Sequence, residues 1–240
     1  MQIYYDNQFT QELTEKIEKQ FWENHKERNV IHLSDLCRCP LKTWCRLTGI
    51  PEMRDDAAVG IMMIGVVGQQ IFQNLYPKEQ VEFEPDKDLP KEEQLPSHID
   101  IFADFKVPLE CKWSRKNIAR GTDIEKGWIM QGTGYMAKTN SPEGKMVIFN
   151  VMTGRLNCFR VVMTPEELEQ RRKELKDDKH LLKTAVTNKD PTLLIPWDDE
   201  CAYCTYRPSR KRVKEKLPSC PKYVEPKLRG LPQDQSPSST

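Results

Sequence analysis

No stretch of this chain stays apolar for the ~20 residues that a membrane-crossing helix needs. Neither sign of charge dominates: 37 Lys and Arg stand against 36 Asp and Glu, a net charge of +1. The first absence excludes a bilayer-spanning helix. The second excludes a global field that gathers polyanions, so any nucleic acid would have to be held by local patches. The opening Met1-Gln2-Ile3-Tyr4-Tyr5-Asp6 lacks the basic-then-apolar layout of a secretory signal. The expectation is a cytoplasmic protein with no membrane partner (or a nuclear one, in a cell with a nucleus). No internal repeat is visible. The 240 residues are 38% hydrophobic and 30% charged, which suits one large soluble domain or two small ones. Eight cysteines in a reducing compartment are poorly explained by disulfides, so metal or cluster ligation is the default for the clustered ones.

Hydrophobic periodicity places the elements. Phe9, Leu13, Ile17 and Phe21 recur at helical spacing over 8–24. Ser34 is positioned to cap a short helix through Trp44, ended by Gly49-Ile50-Pro51. Residues 61–75 are apolar on most faces and read as a buried helix in which Gly65 and Gly68 allow close packing. Val81–Phe83 reads as a short strand. Residues 98–102 and 107–113 read as two strands around a tight turn at Ala103-Asp104-Phe105, and 123–138 as a helix. Residues 145–151 and 156–162 form a second hairpin, with Cys158 in its core-facing strand. Thr164-Pro165-Glu166-Glu167 starts a helix running to about Lys189, with Thr164 and Glu167 as a capping box. The fold class expected is α/β: a mixed central sheet of four or five strands flanked by helices. The proline- and serine-rich stretch 226–240 reads as a disordered tail.

Chemistry concentrates in three short stretches. Ser97-His98-Ile99-Asp100 puts an acid on one strand, and Glu110-Cys111-Lys112 puts Glu-x-Lys on the next. Gln131 and Tyr135 share one face of the following helix. Side chains alternate along a strand, so Glu110 and Lys112 share a face and Cys111 points away, its backbone carbonyl still within reach of a cation. Phosphodiester hydrolysis needs a hard divalent cation, Mg2+ or Mn2+, held by carboxylate and carbonyl oxygens. Asp100 and Glu110 supply the carboxylates, Lys112 a cation for phosphate or water, and Gln131 and Tyr135 hydrogen bonds for a strand. His98, two residues before Asp100, shares its face. A lone Glu-x-Lys is ordinarily a solvated strand face; the ordered set is what points to a nuclease.

Cys201-x-x-Cys204 is a tight pair of the kind that binds zinc or an iron–sulphur cluster. Cys220, before Pro221, is a third candidate ligand and Cys39, before Pro40, a fourth. Cys37 and Cys45 are neighbours able to substitute, and reduced structural thiols are the bland alternative. The run Arg207-Pro208-Ser209-Arg210-Lys211-Arg212 lies between Cys204 and Cys220 as a candidate phosphate-binding loop. Its alternatives are a solvated charge run or an import signal. Arg115, Lys116 and Arg120 would extend the track, and Trp113, Tyr203 and Tyr206 are candidates to stack on unpaired bases.

On Ser97-x-x-Asp100, Glu110-x-Lys112 and Gln131-x-x-x-Tyr135 the chain resembles the PD-(D/E)XK nucleases of the RecB-like branch. The cysteine layout resembles the iron–sulphur sub-branch that includes the CRISPR-associated RecB-like exonucleases. The resemblance covers about residues 33–220. It implies a restriction-endonuclease-like nuclease core over 61–162 and a cysteine clasp formed by 33–60 and 195–225, within one domain over 1–225. It further implies a 4Fe–4S cluster held by Cys39, Cys201, Cys204 and Cys220, a Mg2+ or Mn2+ cofactor, and 5′→3′ exonuclease action on single-stranded DNA or DNA ends. CRISPR integrase proteins become candidate partners. One position departs from the pattern: Gln69 in Gly65-Val66-Val67-Gly68-Gln69 stands where the family carries a metal-binding helical His. An amide there predicts weaker metal affinity or a changed metal preference, with His98 expected to compensate. The rival expectations are a weak or inactive DNA-binding adaptor, and a zinc-clasped regulator whose Glu110-x-Lys112 is a salt-bridged strand face.

Overall fold

A computed structural model describes residues 30–52, 56–91, 93–197, 201, 204–209, 216 and 218–223, with Gln8, Glu12, Glu15, Lys16 and Lys19 of the N-terminal segment. Those five are helical, and Gln8 Nε2 donates to Glu12 Oε1 at 3.0 Å. The rest of the expected 8–24 helix, Tyr203, Arg210, Lys211, Arg212 and the 226–240 tail lie outside the described residues.

Two short helices come first, α1 (Leu33–Leu36) and α2 (Pro40–Leu47). The sequence predicts one helix capped at Ser34; the chain instead breaks at Cys37-Arg38-Cys39. Pro40 lacks the N–H that a continuing helix would use and stands at the first helical position of α2. The cap of α1 is His32, whose N–H donates to Asp35 Oδ2 at 2.9 Å. Asp35 also accepts from Arg46 at 2.8 Å, tying α1 to α2.

The five strands β1 (Val81–Phe83), β2 (Ile99–Ala103), β3 (Val107–Ser114), β4 (Glu143–Asn150) and β5 (Leu156–Val162) form one sheet in sequence order. All neighbours are antiparallel except β3 and β4. A parallel pair needs a crossover, and helix α4 (Lys126–Thr139) supplies it. The β2–β3 turn holds Asp104 and Phe105 at φ 51° and 53°, with Phe105 packed edge-on to Phe83 and Phe102.

One face of the sheet lies beneath α3 (Asp56–Gln73), where Ile101, Leu109, Cys111 and Val147 meet Phe72 and Trp113. Gly68 is required there: a Cβ would sit 2.1 Å from the Trp113 ring. Gly65 has open space around its would-be Cβ, so the close packing belongs to Gly68 alone. α3 is not the buried helix its composition predicts. Ile64, Val67 and Ile71 are half-exposed or more, because among the described side chains of α3 it is the Gly68–Phe72 edge that meets the sheet.

The main core lies on the other side, where α1, α2, α4 and α5 (Pro165–Thr187) enclose Leu33, Leu41, Tyr135, Leu175 and Leu182. The expected capping box starts α5: Glu167 N donates to Thr164 Oγ1 at 3.2 Å and Thr164 N to Glu167 Oε2 at 2.7 Å. Cys158 is exposed rather than core, because among the described residues β5 pairs with β4 alone and is the sheet's edge. Among the described residues no helix is long and apolar enough to cross a membrane.

Candidate functional site

The antiparallel register that pairs Ile101 with Leu109 brings Asp100 opposite Glu110. Both carboxylates are buried, Glu110 at 1% exposure. The Cys111 N–H donates to Asp100 Oδ2 at 2.7 Å, and Gln69 Nε2 donates to Oδ1 at 2.9 Å. Lys112, next on the same face, pairs its ammonium with Glu110 Oε1. Neither Glu110 oxygen receives a well-formed hydrogen bond.

From Lys112 the contacts run outward in a chain. Lys112 Nζ donates to Gln131 Oε1 at 3.3 Å, Gln131 Nε2 to Tyr135 OH at 2.8 Å, and Tyr135 OH to the His98 carbonyl at 2.6 Å. The helical i, i+4 spacing of Gln131 and Tyr135 makes their mutual bond possible. The close approach of α4 to α1 rests on Gly127, where a Cβ would lie 2.6 Å from the Cys37 carbonyl.

Burial, and then the charge of Glu110, holds the Asp100 carboxyl well above the usual range. Burial likewise raises Glu110 against the opposing pull of Lys112. Burial alone would lower Lys112, but the charges of Glu110 and Asp100 outweigh it and hold the ammonium above its ordinary value. Two buried carboxylates thus share one ammonium, and an uncompensated buried charge costs several kcal/mol, roughly. A hard divalent cation against Asp100 and Glu110 would offset that cost, and Glu110 Oε2, buried with no donor, fits such a ligand. Cys111 turns its thiol into the apolar cluster with Ile101 and Leu109, as expected from alternation.

The sequence-predicted residues divide here. Gln69 touches Asp100 directly, whereas the His98 imidazole faces Glu84 at 3.3 Å and Glu82 at 3.9 Å. Tyr135 is 3% exposed with its hydroxyl committed on both sides, so it braces Gln131 instead of offering itself to a strand. Trp113 packs on Phe72 at 5.6 Å. Tyr206 is 1% exposed, which rules it out as a stacking platform as placed. Arg115, Lys116 and Arg120 are exposed just past β3, with Lys116 3.4 Å from Glu125. Arg207 is exposed as well. Sequence reasoning missed Glu82, whose Oε1 accepts from both Gln69 and Gln73. The available signal was the i, i+4 pair of amides on α3.

A second region gathers the cysteines. Cys39, Cys201, Cys204 and Cys220 line one cavity beside Lys42 and Tyr223. Cys39 sits there as the N-cap of α2, its Sγ accepting from Trp197 N at 3.5 Å. Cys204 Sγ accepts from Tyr206 N at 3.5 Å, and Cys220 N donates to the Tyr206 carbonyl at 2.8 Å. Cys45 shares a hydrogen bond with Cys220 that keeps the proton on Cys45 and lowers Cys220 to about 6. Cys37 is placed elsewhere: it is absent from this cavity's lining, and burial raises its thiol to about 12. Of the two substitutes, Cys45 is the one in contact. Among the described residues no three His, Cys, Asp or Glu side chains stand close enough to grip a single metal ion.

No family model matches the chain, and no curated protein matches it. Among solved structures, one described as "Crystal structure of SSO0001" superposes with a TM-score of 0.54 at 16% identity, covering 84% of this chain and 96% of that one. At that identity the likeness is one of fold: a mixed five-stranded sheet flanked by helices.

Proposed function

We propose that the chain is a divalent-cation-dependent DNA nuclease of the RecB-like PD-(D/E)XK type. The carrying observation is the buried Asp100–Glu110 pair joined through Lys112 to Gln131 and Tyr135. Asp100, Glu110 and the Cys111 carbonyl would hold Mg2+ or Mn2+, with Gln69 beside them. The bound cation supplies charge for the scissile phosphate and for activation of the attacking water. Lys112 neutralises charge developing on the phosphoryl oxygens. Gln131 fixes the Lys112 ammonium, and Tyr135 fixes Gln131. Arg115, Lys116 and Arg207 provide exposed positive charge for the strand, together with Arg210, Lys211 and Arg212 in sequence. By resemblance the substrate is single-stranded DNA or DNA ends, degraded 5′→3′, in the setting of CRISPR spacer acquisition beside integrase proteins.

The cysteine cavity fits a structural role in the same proposal. Cys39, Cys201, Cys204 and Cys220 would carry a 4Fe–4S cluster closing the N-terminal helices on the C-terminal segment.

Gln69 favours a second reading, a weak or inactive DNA-binding adaptor, because an amide occupies the position of the family's imidazole. One experiment separates the two. Protein purified without oxygen is examined by visible absorption, then incubated with end-labelled single-stranded DNA and Mn2+ beside Glu110→Ala. A brown protein with Glu110-dependent degradation supports the nuclease. A brown protein that leaves DNA intact selects the adaptor, and a colourless, zinc-containing, inactive one rejects both.

A further inference from the structure

Glu82 is an acid at the site to which the nuclease proposal gives no task. It stands in the middle of β1 with φ 49°, a left-handed conformation uncommon for a residue with a long side chain. Its Oε1 accepts from Gln69 Nε2 at 2.8 Å and from Gln73 Nε2, two amides one turn apart on α3. The same Gln69 nitrogen donates to Asp100 Oδ1 at 2.9 Å. An amide nitrogen has two hydrogens and no more, so both are engaged, and Gln69 Oε1 accepts from nothing among the described residues. The direction in which an amide faces is decided by its hydrogen-bond network, and the second fixed acceptor in this network is Glu82.

We propose that Glu82 is a positioning residue for Gln69. By retaining the amide nitrogen, it turns the amide oxygen toward a divalent cation on Asp100 and Glu110. This rests on the acidic-site reading above. When a cation occupies Asp100, the Asp100 oxygen no longer accepts from Gln69. With that contact released, Glu82 would keep Nε2 and leave Oε1 as the amide atom able to meet the cation. Gln73 keeps Glu82 from swinging away. An oxygen suits Mg2+, where an imidazole at the same position suits Ni2+ or Zn2+. The Glu82–Gln69 pair is thereby the element that sets the metal preference of this site.

The test is calorimetric titration of the full chain with Mg2+ and with Ni2+, without DNA, for wild type, Glu82→Ala, Glu82→Gln and Glu110→Gln. Loss of an orienting partner weakens metal binding by about 10- to 100-fold. Glu82→Ala is expected to weaken Mg2+ by about tenfold while changing Ni2+ little. Glu82→Gln retains an acceptor oxygen without the charge and is expected to restore most of the Mg2+ affinity. Unchanged Mg2+ binding in Glu82→Ala overturns the proposal. So does Glu82→Gln as weak as Glu82→Ala, which would make the charge itself the ligand. If Glu110→Gln binds Mg2+ like wild type, the acidic-site reading fails and takes this one with it. If Glu110→Gln alone loses binding, only the role of Glu82 falls. Should Glu82→Ala not fold, Gln73→Ala carries the test: weaker Mg2+ binding supports the role, and unchanged binding overturns it.

Discussion

The acidic site and the cysteine cavity are organised on opposite plans. Asp100, Glu110, Lys112, Gln131 and Tyr135 come from adjacent elements within 36 positions of sequence, with Asp100 held by the Cys111 N–H and a chain of contacts running from Glu110 through Lys112 and Gln131 to Tyr135. The cysteines come from the N-cap of α2 and from the segment beyond residue 200, where the backbone N–H groups of Trp197 and Tyr206 donate to the Cys39 and Cys204 sulfurs. The first region is rigid through its own secondary structure and carries excess buried charge. The second depends on whatever joins the two ends. A defect in the first should therefore cost chemistry while sparing the fold, and a defect in the second should do the reverse.

The sharpest break of that contrast is Glu110→Ala. It is expected to lower DNA degradation by about a thousandfold, the scale of losing a principal electrostatic group, with iron content and thermal unfolding little changed. If the proposed 4Fe–4S cluster is present, Cys201→Ser is expected to remove it and several kcal/mol of stability, roughly, measured by iron and sulfide content and by denaturant unfolding. Activity would then fall only because folded protein is lost. Next in size is Gly68→Ala, where the methyl meets Trp113. Overpacking of this kind costs about 1–3 kcal/mol, read as a lowered melting temperature. Tyr135→Phe removes the hydroxyl between Gln131 and the His98 carbonyl, worth about 1–2 kcal/mol in stability. Its turnover should fall with KM nearly unchanged, since Lys112 loses its brace and the DNA contacts remain.

The smallest effect is a pH dependence. The folded Asp100 carboxyl holds its proton more tightly than the unfolded one, because burial and Glu110 disfavour the anion. The folded state therefore binds more protons between the two values. Stability of the metal-free protein should decline as pH rises from the unfolded value of about 3.9 through the raised folded one. Asp100→Asn should flatten that decline and Mg2+ should reverse it, both seen in chemical unfolding across pH 4 to 7, roughly.

The sequence made some of this legible and concealed the rest for identifiable reasons. Thr164-Pro165-Glu166-Glu167 is a local hydrogen-bonding unit, and it starts α5 as expected. The alternation around Glu110 placed Cys111 among apolar side chains because period two is a local property of a strand. The exposed flank of α3 was hidden because apolar composition records what a residue prefers, not how much of the helix a five-stranded sheet can cover. Cys158 looked internal because nothing in 156–162 says that, among the described residues, β5 lies at the edge of the sheet. Glu82 was invisible because its importance lies in the Gln69 and Gln73 amides across from it, and one acid on a three-residue strand carries no pattern.

The distance in sequence between the walls of the cysteine cavity has a consequence for synthesis. Cys39 and Cys220 line the same space. At about 5–20 residues per second, Cys39 leaves the ribosome roughly 10 to 35 s before its last neighbour does. The strands β1 to β5 and helices α4 and α5 are complete by then, so α1 and α2 can dock on their partners in the core before Cys220 reaches Cys39. The C-terminal wall of the cavity therefore closes late, on a core whose other parts are already made.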